Sequence, residues 1–536
     1  MRVFRLLIAG VVLIATAGVM APGAGVASTT APRWVLHVKN YPGSISNGVR
    51  FNLDPAVMNA QGRYSSKVAA SSSATRNNVQ MNDDSYPPLP QNETTVAYST
   101  DNPMVAVAAA NDYVSGGNIV MRTSDGGQHW ATTSVVPVFF PTRDACSGGD
   151  PSVAYSSRDH AFYMSQLCFF RTMAPSEVQI YKSLDNGASW TPGRQAAVAA
   201  TNYDPATGTL NEAIFNDKEY ITVDNTPTSP HYGRLYVTYT RFHIAADGSS
   251  DSCPIQLSYT DNVPSQNPQQ TVWSHTSVVP DDFASGGVGE SANQFSVPVV
   301  EKSGALDVAY VLEDCNSSHD RGLRFQKSTN GGTSFLSTRV KVNKIGQWKD
   351  NPSAGDVIPN GNFRTPNTVS LAYSAATGTL AYVYTNYIRG VGNGDIDVSL
   401  SHDGGRHWSD PQTISLNQMG DPARGNQFFP WIAATPSGRF VAMWLDRRQD
   451  PNNHLIGTFE GRSNDDGATW KNVRISTTTW DPDLGFFTSG AFIGDYSGIA
   501  ANDQVIYPVW TDGRNSDIGN TGIGETDVFT DVEIGV

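Results

Sequence analysis

Thr123-Ser-Asp-Gly-Gly-Gln-His-Trp130 recurs, with small changes, as Ser183-Leu-Asp-Asn-Gly-Ala-Ser-Trp190, Ser401-His-Asp-Gly-Gly-Arg-His-Trp408 and Ser463-Asn-Asp-Asp-Gly-Ala-Thr-Trp470. A worn copy runs from Ser328 to Phe335, with Asn330 in the Asp position, and a stretched one from Ser258 to Trp273, with Asp261 displaced. Copies about 60–75 residues apart mark an array of equal structural units. Each phrase reads as a tight turn. Asp125, Asp185, Asn330, Asp403 and Asp465 accept hydrogen bonds from N–H groups further along. Glycine supplies the positive φ, Ser or Thr adds a local side-chain to backbone bond, and the final aromatic buries apolar surface as the next strand begins. Each phrase therefore joins two antiparallel strands, and its Asp is structural.

A larger unit surrounds each phrase. It opens with a short apolar strand, such as Pro151–Tyr155 or Trp431–Ala434. A second strand follows, such as Ala161–Gln166 or Phe440–Leu445, then a third that leads into the turn and a fourth that leaves it. Seven such units run from Gln91 to the end of the chain. The seventh stops after its third strand, Asp527–Thr530, so it needs a strand from elsewhere. Trp34–Lys39, which alternates like a strand, would supply it. The expectation is an all-β chain: one seven-bladed propeller of four-stranded blades over residues 91–536, preceded by an arm over residues 28–90. From Tyr41 to Pro90 that arm is rich in Ser, Asn and Pro, and reads as a linker.

The first residues read as a secretory signal over 1–27. Arg2 and Arg5 precede the apolar run Leu6–Met20, and Gly25-Val26-Ala27 is a small-x-small cleavage site. The run is shorter than the roughly 20 residues that span a bilayer. A secreted protein without a transmembrane segment, monomeric, is expected. The net charge of −14, with scattered basic residues, excludes a nucleic-acid partner. Four cysteines in an exported chain make two disulfides. Of the three pairings, Cys146–Cys168 and Cys253–Cys315 place both bridges on one face of the meanders.

The eight-residue phrase resembles the Asp-box (BNR) repeat, S/T-x-D-x-G-x-x-W, of the sialidase-like β-propellers. The resemblance covers nearly all of the chain after Gln91. In that superfamily six blades are usual, which is the alternative count. The resemblance implies a substrate site at the central pocket, on the face opposite the turns. There, first strands begin and second strands end. Polar residues gather at those positions here: Glu93, Asp150, Asp217-Lys218-Glu219, Gln294, Arg364, Gln427 and Asp495-Tyr496 before first strands, and Arg241, Asp446-Arg447-Arg448 and Asp512-Gly513-Arg514 after second strands. Trp444-Leu-Asp-Arg447 and Trp510-Thr-Asp-Gly-Arg514 look like one scaffold device used twice. Sialidases hold the substrate carboxylate with three arginines, and use a Tyr activated by a Glu and an Asp acid/base. Phe363-Arg364-Thr365-Pro366 is similar to the motif of their first arginine, although it stands in the fifth unit and not the first. By position, Arg241 with Arg514 or Arg447 would complete the set, and Gln294 and Gln427 would add polar contacts. Tyr496 is the nucleophile candidate, Glu93 or Glu219 its activator, and Asp150 and Asp495 further catalytic carboxylates.

These residues and the resemblance point to a secreted sialidase-like glycoside hydrolase, exo-α-sialidase-like in class, acting on an extracellular glycan. Two alternatives stand beside it: a non-catalytic propeller that binds carbohydrate or protein, and a polysaccharide lyase. No residue spacing calls for a metal ligand set or a cofactor. The Asp-containing loops Asp247–Ser252 and Asp512–Asn520 are where Ca²⁺ would bind.

Overall fold

Blade I explains why these segments become strands. Ala106–Asp112 is buried along its whole length, so neither face meets water and the sheet must pack between neighbours. The same holds for Ala161–Phe169 and Val505–Asp512. The computed structural model describes residues 31–61, 78–82, 88–191, 195–281, 289–317, 319–346, 349–351, 355–387, 394–519 and 521–535. The proposed signal lies outside them.

Seven antiparallel four-stranded blades form the fold. From inner to outer strand, blade I is Gln91–Tyr98, Ala106–Asp112, Gly117–Thr123 and Ala131–Val135. Blade II is Ser152–Ser156, Ala161–Phe169, Ser176–Ser183 and Ala197–Thr201. Blade III is Ile214–Val223, Leu235–Ile244, Ile255–Thr260 and Ser274–Ser277, and blade IV is Asn293–Val300, Leu306–Glu313, Asp320–Ser328 and Val340–Lys341. Blade V is Ser370–Tyr373, Leu380–Asn386, Asp395–Ser401 and Gln412–Thr413, and blade VI is Gln427–Ala434, Phe440–Asp446, Gly457–Ser463 and Lys471–Arg474. Blade VII is Gly498–Ala501, Val505–Asp512, Asp527–Thr530 and, from the other end of the chain, Val79–Gln80. Each first strand packs on the first strands of both neighbouring blades, which closes the ring and sets aside the six-bladed alternative.

The closing strand differs from the expected one. Val79 pairs with Thr530 and Gln80 with Phe529. Side chains lock this short strand in place. Asn78 holds Ile475 O and the Thr477 N–H, and Asn82 holds Asp527 and the Val528 N–H. Trp34–Lys39 instead lies in helix α1, Arg33–Asn40. Its buried residues Trp34, His37 and Val38 follow the i, i+3, i+4 spacing of one helix face. Trp34 stacks on Phe215, with ring centroids 5.2 Å apart, and meets the edge of Phe169 at 5.5 Å. The stretch read as a linker carries two more helices, α2 (Asn47–Phe51) and α3 (Pro55–Gln61).

The repeated phrases close as turns between third and fourth strands. In blade I, Thr123 Oγ1 donates to Asp125 Oδ1 at 2.8 Å and accepts from Gly127 N at 3.0 Å. His129 N donates to Asp125 Oδ1 at 3.1 Å, and Trp130 Nε1 donates to Gly127 O at 3.0 Å. The Ser–Asp (or Asn) and glycine bonds recur at 183–190, 328–335, 401–408 and 463–470. The stretched copy in blade III has lost them, and Asp261 pairs with Arg234 at 2.7 Å. Both disulfides form as expected, Cys146–Cys168 and Cys253–Cys315, with Cys168 inside a second strand and not beyond it.

Candidate functional site

The first strands do more than line the axis. In blades I, III, IV and VI the register breaks near the strand start, and Glu93, Lys218, Phe295 and Phe429 adopt positive φ. Asp150 does so just before the first strand of blade II. Such bulges bend a strand and re-aim its side chains. Here they turn polar groups inward at one end of the axis. Further along, the axis is apolar. Tyr220 and Trp431 lie 5.1 Å apart and Trp431 and Tyr496 6.2 Å apart, separating the polar end from a cavity of about 300 Å³ on the turn side.

Five carboxylates meet at the polar end: Glu93, Asp150, Asp217, Glu219 and Asp495, all buried. Lys218 and Arg364 are buried with them. Lys218 Nζ stands 3.7 Å from the centre of the Tyr496 ring, and Arg364 Nε lies 3.5 Å from Asp495 Oδ1. Gln294 donates to Asp217 Oδ2 at 2.8 Å, and Asn111 to Glu93 Oε2 at 2.5 Å. Burial and the neighbouring Asp150 and Asp495 push the Glu93 carboxyl well above its ordinary range. Burial, then Asp150, does the same to Glu219. Burial raises Asp217 to about 7 and Asp495 to about 6, each checked by Arg364. The Tyr496 hydroxyl is pushed up by burial and by Glu93, Asp150 and Glu219.

The cover over this cluster is the protein's own N-terminal segment. Ser46 N donates to Asp217 Oδ2 at 2.9 Å, Ser46 Oγ donates to Asp150 Oδ1 at 2.9 Å, and the Asn47 N–H faces Asp495. These N–H groups stand at the start of α2, where a helix leaves donors free. Arg364 Nη1 donates to Ile45 O at 3.0 Å, and Gln294 Nε2 to Ser44 O at 3.3 Å. At Gly48 the backbone comes so close that an added Cβ would sit 2.8 Å from Glu93 Oε2 and 3.0 Å from Asp150 Oδ1. Any side chain there would have to push these groups aside. Arg50, further along α2, is near enough to Arg364 for the two charges to repel.

Of the residues nominated from sequence, the fold gathers Tyr496, Glu93, Glu219, Asp150, Asp495, Arg364 and Gln294. It does not gather the other four. Arg241 bonds Asn216 and Tyr239. Gln427 holds the carbonyls of Arg424 and Gly425. Arg447 is buried against Phe363 and Phe428, and donates to Pro359 O. Arg514 is taken by Asp512 at 2.6 Å. The repeated scaffold device is real but one residue longer than its first copy was read, because Asp446 pairs with Arg448 and not with Arg447. In both copies the Trp indole N–H also reaches the Asp, at 2.8 Å from Trp444 and 3.0 Å from Trp510. The sequence alone leaves the role of the N-terminal arm open, and no local signal in it marks the cover. His454, Asp481 and Asp483 gather donor atoms within 4.8 Å of one another, and a 2.9 Å bond between His454 Nε2 and Asp481 accounts for that closeness.

No protein-family model matches the chain, and no curated protein does. Solved structures that resemble it include a Hadza microbial sialidase, at 12% identity over 80% of this chain and 73% of that one, with TM-score 0.42. Another is a GH93 α-L-arabinofuranosidase of Fusarium graminearum, at 10% identity over 85% and 97%, with TM-score 0.42. A third is a mutant NanB sialidase from Streptococcus pneumoniae, at 9% identity over 86% and 71%, with TM-score 0.39. The propeller itself rests on the blade pairing described above.

Proposed function

We propose that this protein is a secreted glycan-acting hydrolase whose chemistry lies at the ring centre and proceeds once residues 44–52 withdraw. The observation that carries the reading is the state of the buried polar atoms there. Asp217 Oδ1, Lys218 Nζ, Arg364 Nη2 and the Tyr496 hydroxyl are buried without a hydrogen-bond partner among the described residues. Folded proteins leave few such groups, and a cluster of them is a site shaped for something other than its own packing. Carboxyls held at different protonation levels side by side are what acid and base roles in glycoside hydrolysis require. Glu93, pushed well up by burial and its acidic neighbours, is the acid candidate, Tyr496 beside Glu219, which is raised in the same way, the nucleophile candidate, and Arg364 the ligand-binding cation. Among the nominated arginines Arg364 alone reaches the centre. Among the described residues the nominated arginines do not form a three-arginine carboxylate clamp, which favours a glycan other than a sialoside.

A second reading is a non-catalytic binding propeller, favoured by the closure of the centre. Gly48→Leu separates the two. Its side chain would press on Glu93 and Asp150, so the cover is expected to lift. The variant is assayed on a panel of fluorogenic glycosides, a sialoside included, with thermal unfolding as the check that the propeller is intact. Turnover that appears or rises on one glycoside supports the hydrolase. A folded, uncovered variant silent on the whole panel leaves the binding propeller.

A further inference from the structure

A cleft of about 950 Å³ opens between blades V and VI, within the size range of small-ligand sites. It is bounded by the loop that leads into blade VI, by the turn after that blade's second strand, and by the end of its outer strand. Three guanidinium groups face it: Arg424, Arg448 and Arg474. They are not equivalent. Arg448 is part of the wall. Its Nε donates to Asp446 Oδ2 at 2.8 Å, its Nη1 to Leu416 O at 2.7 Å, and its Cζ lies 4.1 Å from the centre of the Phe459 ring. Asp446 neutralises it. Arg424 spends only Nε, on Arg448 O at 2.8 Å, which orients the guanidinium and leaves its terminal nitrogens without a partner among the described residues. Arg474 Nε is buried with no partner among them. Burial and the nearby Arg514 both weigh against the Arg474 charge, and Asp446, already engaged by Arg448, is the acid that supports it. Asp395 at the cleft floor is buried and engaged within the protein.

Arg424 thus presents unspent donors to the opening, and Arg474 lines it with a buried Nε unpartnered among the described residues, on a chain whose net charge is −14. We propose that the cleft between blades V and VI binds an acidic oligosaccharide and receives its carboxylate or sulfate group on Arg424 and Arg474. A guanidinium fork matches a planar or tetrahedral anion with two parallel N–H bonds. Gln418 and Gln449 also line the cleft, and their amides suit sugar hydroxyls. A nucleic-acid strand is disfavoured because it needs aromatic faces on which bases stack, and Phe459, the aromatic in the lining, lies under Arg448. This inference does not depend on hydrolysis at the ring centre.

Isothermal titration of the full chain with an oligogalacturonate, a heparin-derived tetrasaccharide and a neutral chito-oligosaccharide is the test. The acidic sugars are expected to bind and the neutral one not, with affinity falling as salt rises. The tighter of the two acidic sugars identifies the anion as carboxylate or sulfate. Arg424→Ala and Arg474→Ala should each weaken binding about tenfold, as loss of a hydrogen bond to a charged group does, without moving the unfolding midpoint. Wild-type affinity in the double variant overturns the proposal. So does equal affinity for the neutral sugar, tighter binding of an oligoglutamate or a single-stranded oligonucleotide, or failure of both acidic sugars to bind.

Discussion

The ring centre and the cleft between blades V and VI both gather arginines and carboxylates, yet they meet the cost of burial in different ways. At the centre, five carboxylates and two cations lie out of water, and a segment from outside the propeller supplies part of their hydrogen bonding. In the cleft, one arginine is neutralised by Asp446 and built into the wall, while Arg424 and Arg474 keep donors free for a ligand. A charge taken from water must be paired or lose its ionisation. The centre therefore shows shifted carboxyls, whereas in the cleft Asp446 is paired with Arg448 and burial weighs on the Arg474 charge. On the proposed reading, the centre is arranged for chemistry and held shut, and the cleft is arranged for capture and held open.

The sharpest way to break that contrast is to remove the acid from an uncovered centre. In a Gly48→Leu background, Glu93→Gln is expected to cost about 10²–10⁴-fold in turnover, the usual share of general acid–base catalysis. Oligosaccharide binding in the cleft should not change. Steady-state kinetics beside titration reads both at once, and an unchanged kcat would remove Glu93 from the chemistry. Gly48→Leu alone comes next. If the cover is open about one per cent of the time, freeing it raises apparent ligand affinity at the centre about 100-fold. Hydrogen exchange at residues 44–52 should rise in parallel. Exchange that stays at the wild-type level would show that the segment does not lift.

Much of the propeller was legible because its repeats are local. Thr123 to Trp130 closes through bonds that span four residues or fewer, so each copy that keeps those bonds declares itself in the sequence. Strand position then located Glu93, Asp150, Arg364, Gln294 and Asp495-Tyr496 at one end of the axis. What stayed hidden depends on contacts across the chain. Ser46 meets Asp150 and Asp217, which lie 104 and 171 residues away, and no local pattern announces such a meeting. Helix α1 was within reach, since Trp34, His37 and Val38 carry a helical face. Over so few residues, however, helix and strand periods overlap. Arg447 and Arg448 show a finer limit. Adjacent arginines after one strand point to opposite sides, and only the fold says which of them meets Asp446.

Acidity should regulate the cover. The folded-state values of Asp217, about 7, and Asp495, about 6, stand above the ordinary carboxyl value near 4, toward which hydration of an uncovered site moves them. A raised carboxyl favours the closed form fully below its open-state value, and that advantage is lost as pH rises through the closed-state value. Asp150, Arg364 and the Ser46 N–H face Asp217, and Arg364, Asp150, Lys218 and the Asn47 N–H face Asp495. Between about pH 4 and 7, opening should therefore become more frequent, by about tenfold for every unit by which hydration lowers a carboxyl pKa. Hydrogen exchange at 44–52, corrected for its intrinsic pH dependence, checks the sign. Opening that becomes rarer with rising pH would contradict it.

The smallest change asks whether one side chain anchors the cover. Ser46 Oγ has two roles: it donates to Asp150 and accepts the Gly48 N–H as the N-cap of α2. Ser46→Ala removes both while leaving the Ser46 N–H bond to Asp217 in place. Loss of an N-cap costs about 1 kcal/mol, close to fivefold in an opening equilibrium. Asp150, deprived of a donor in a buried setting, adds to that in the closed form and adds nothing once the site is hydrated. The variant should thus open a few-fold more often than wild type and far less often than Gly48→Leu, with the cleft unaffected. An effect as large as that of Gly48→Leu would mean that Ser46, and not the close backbone approach at Gly48, decides whether the centre is shut.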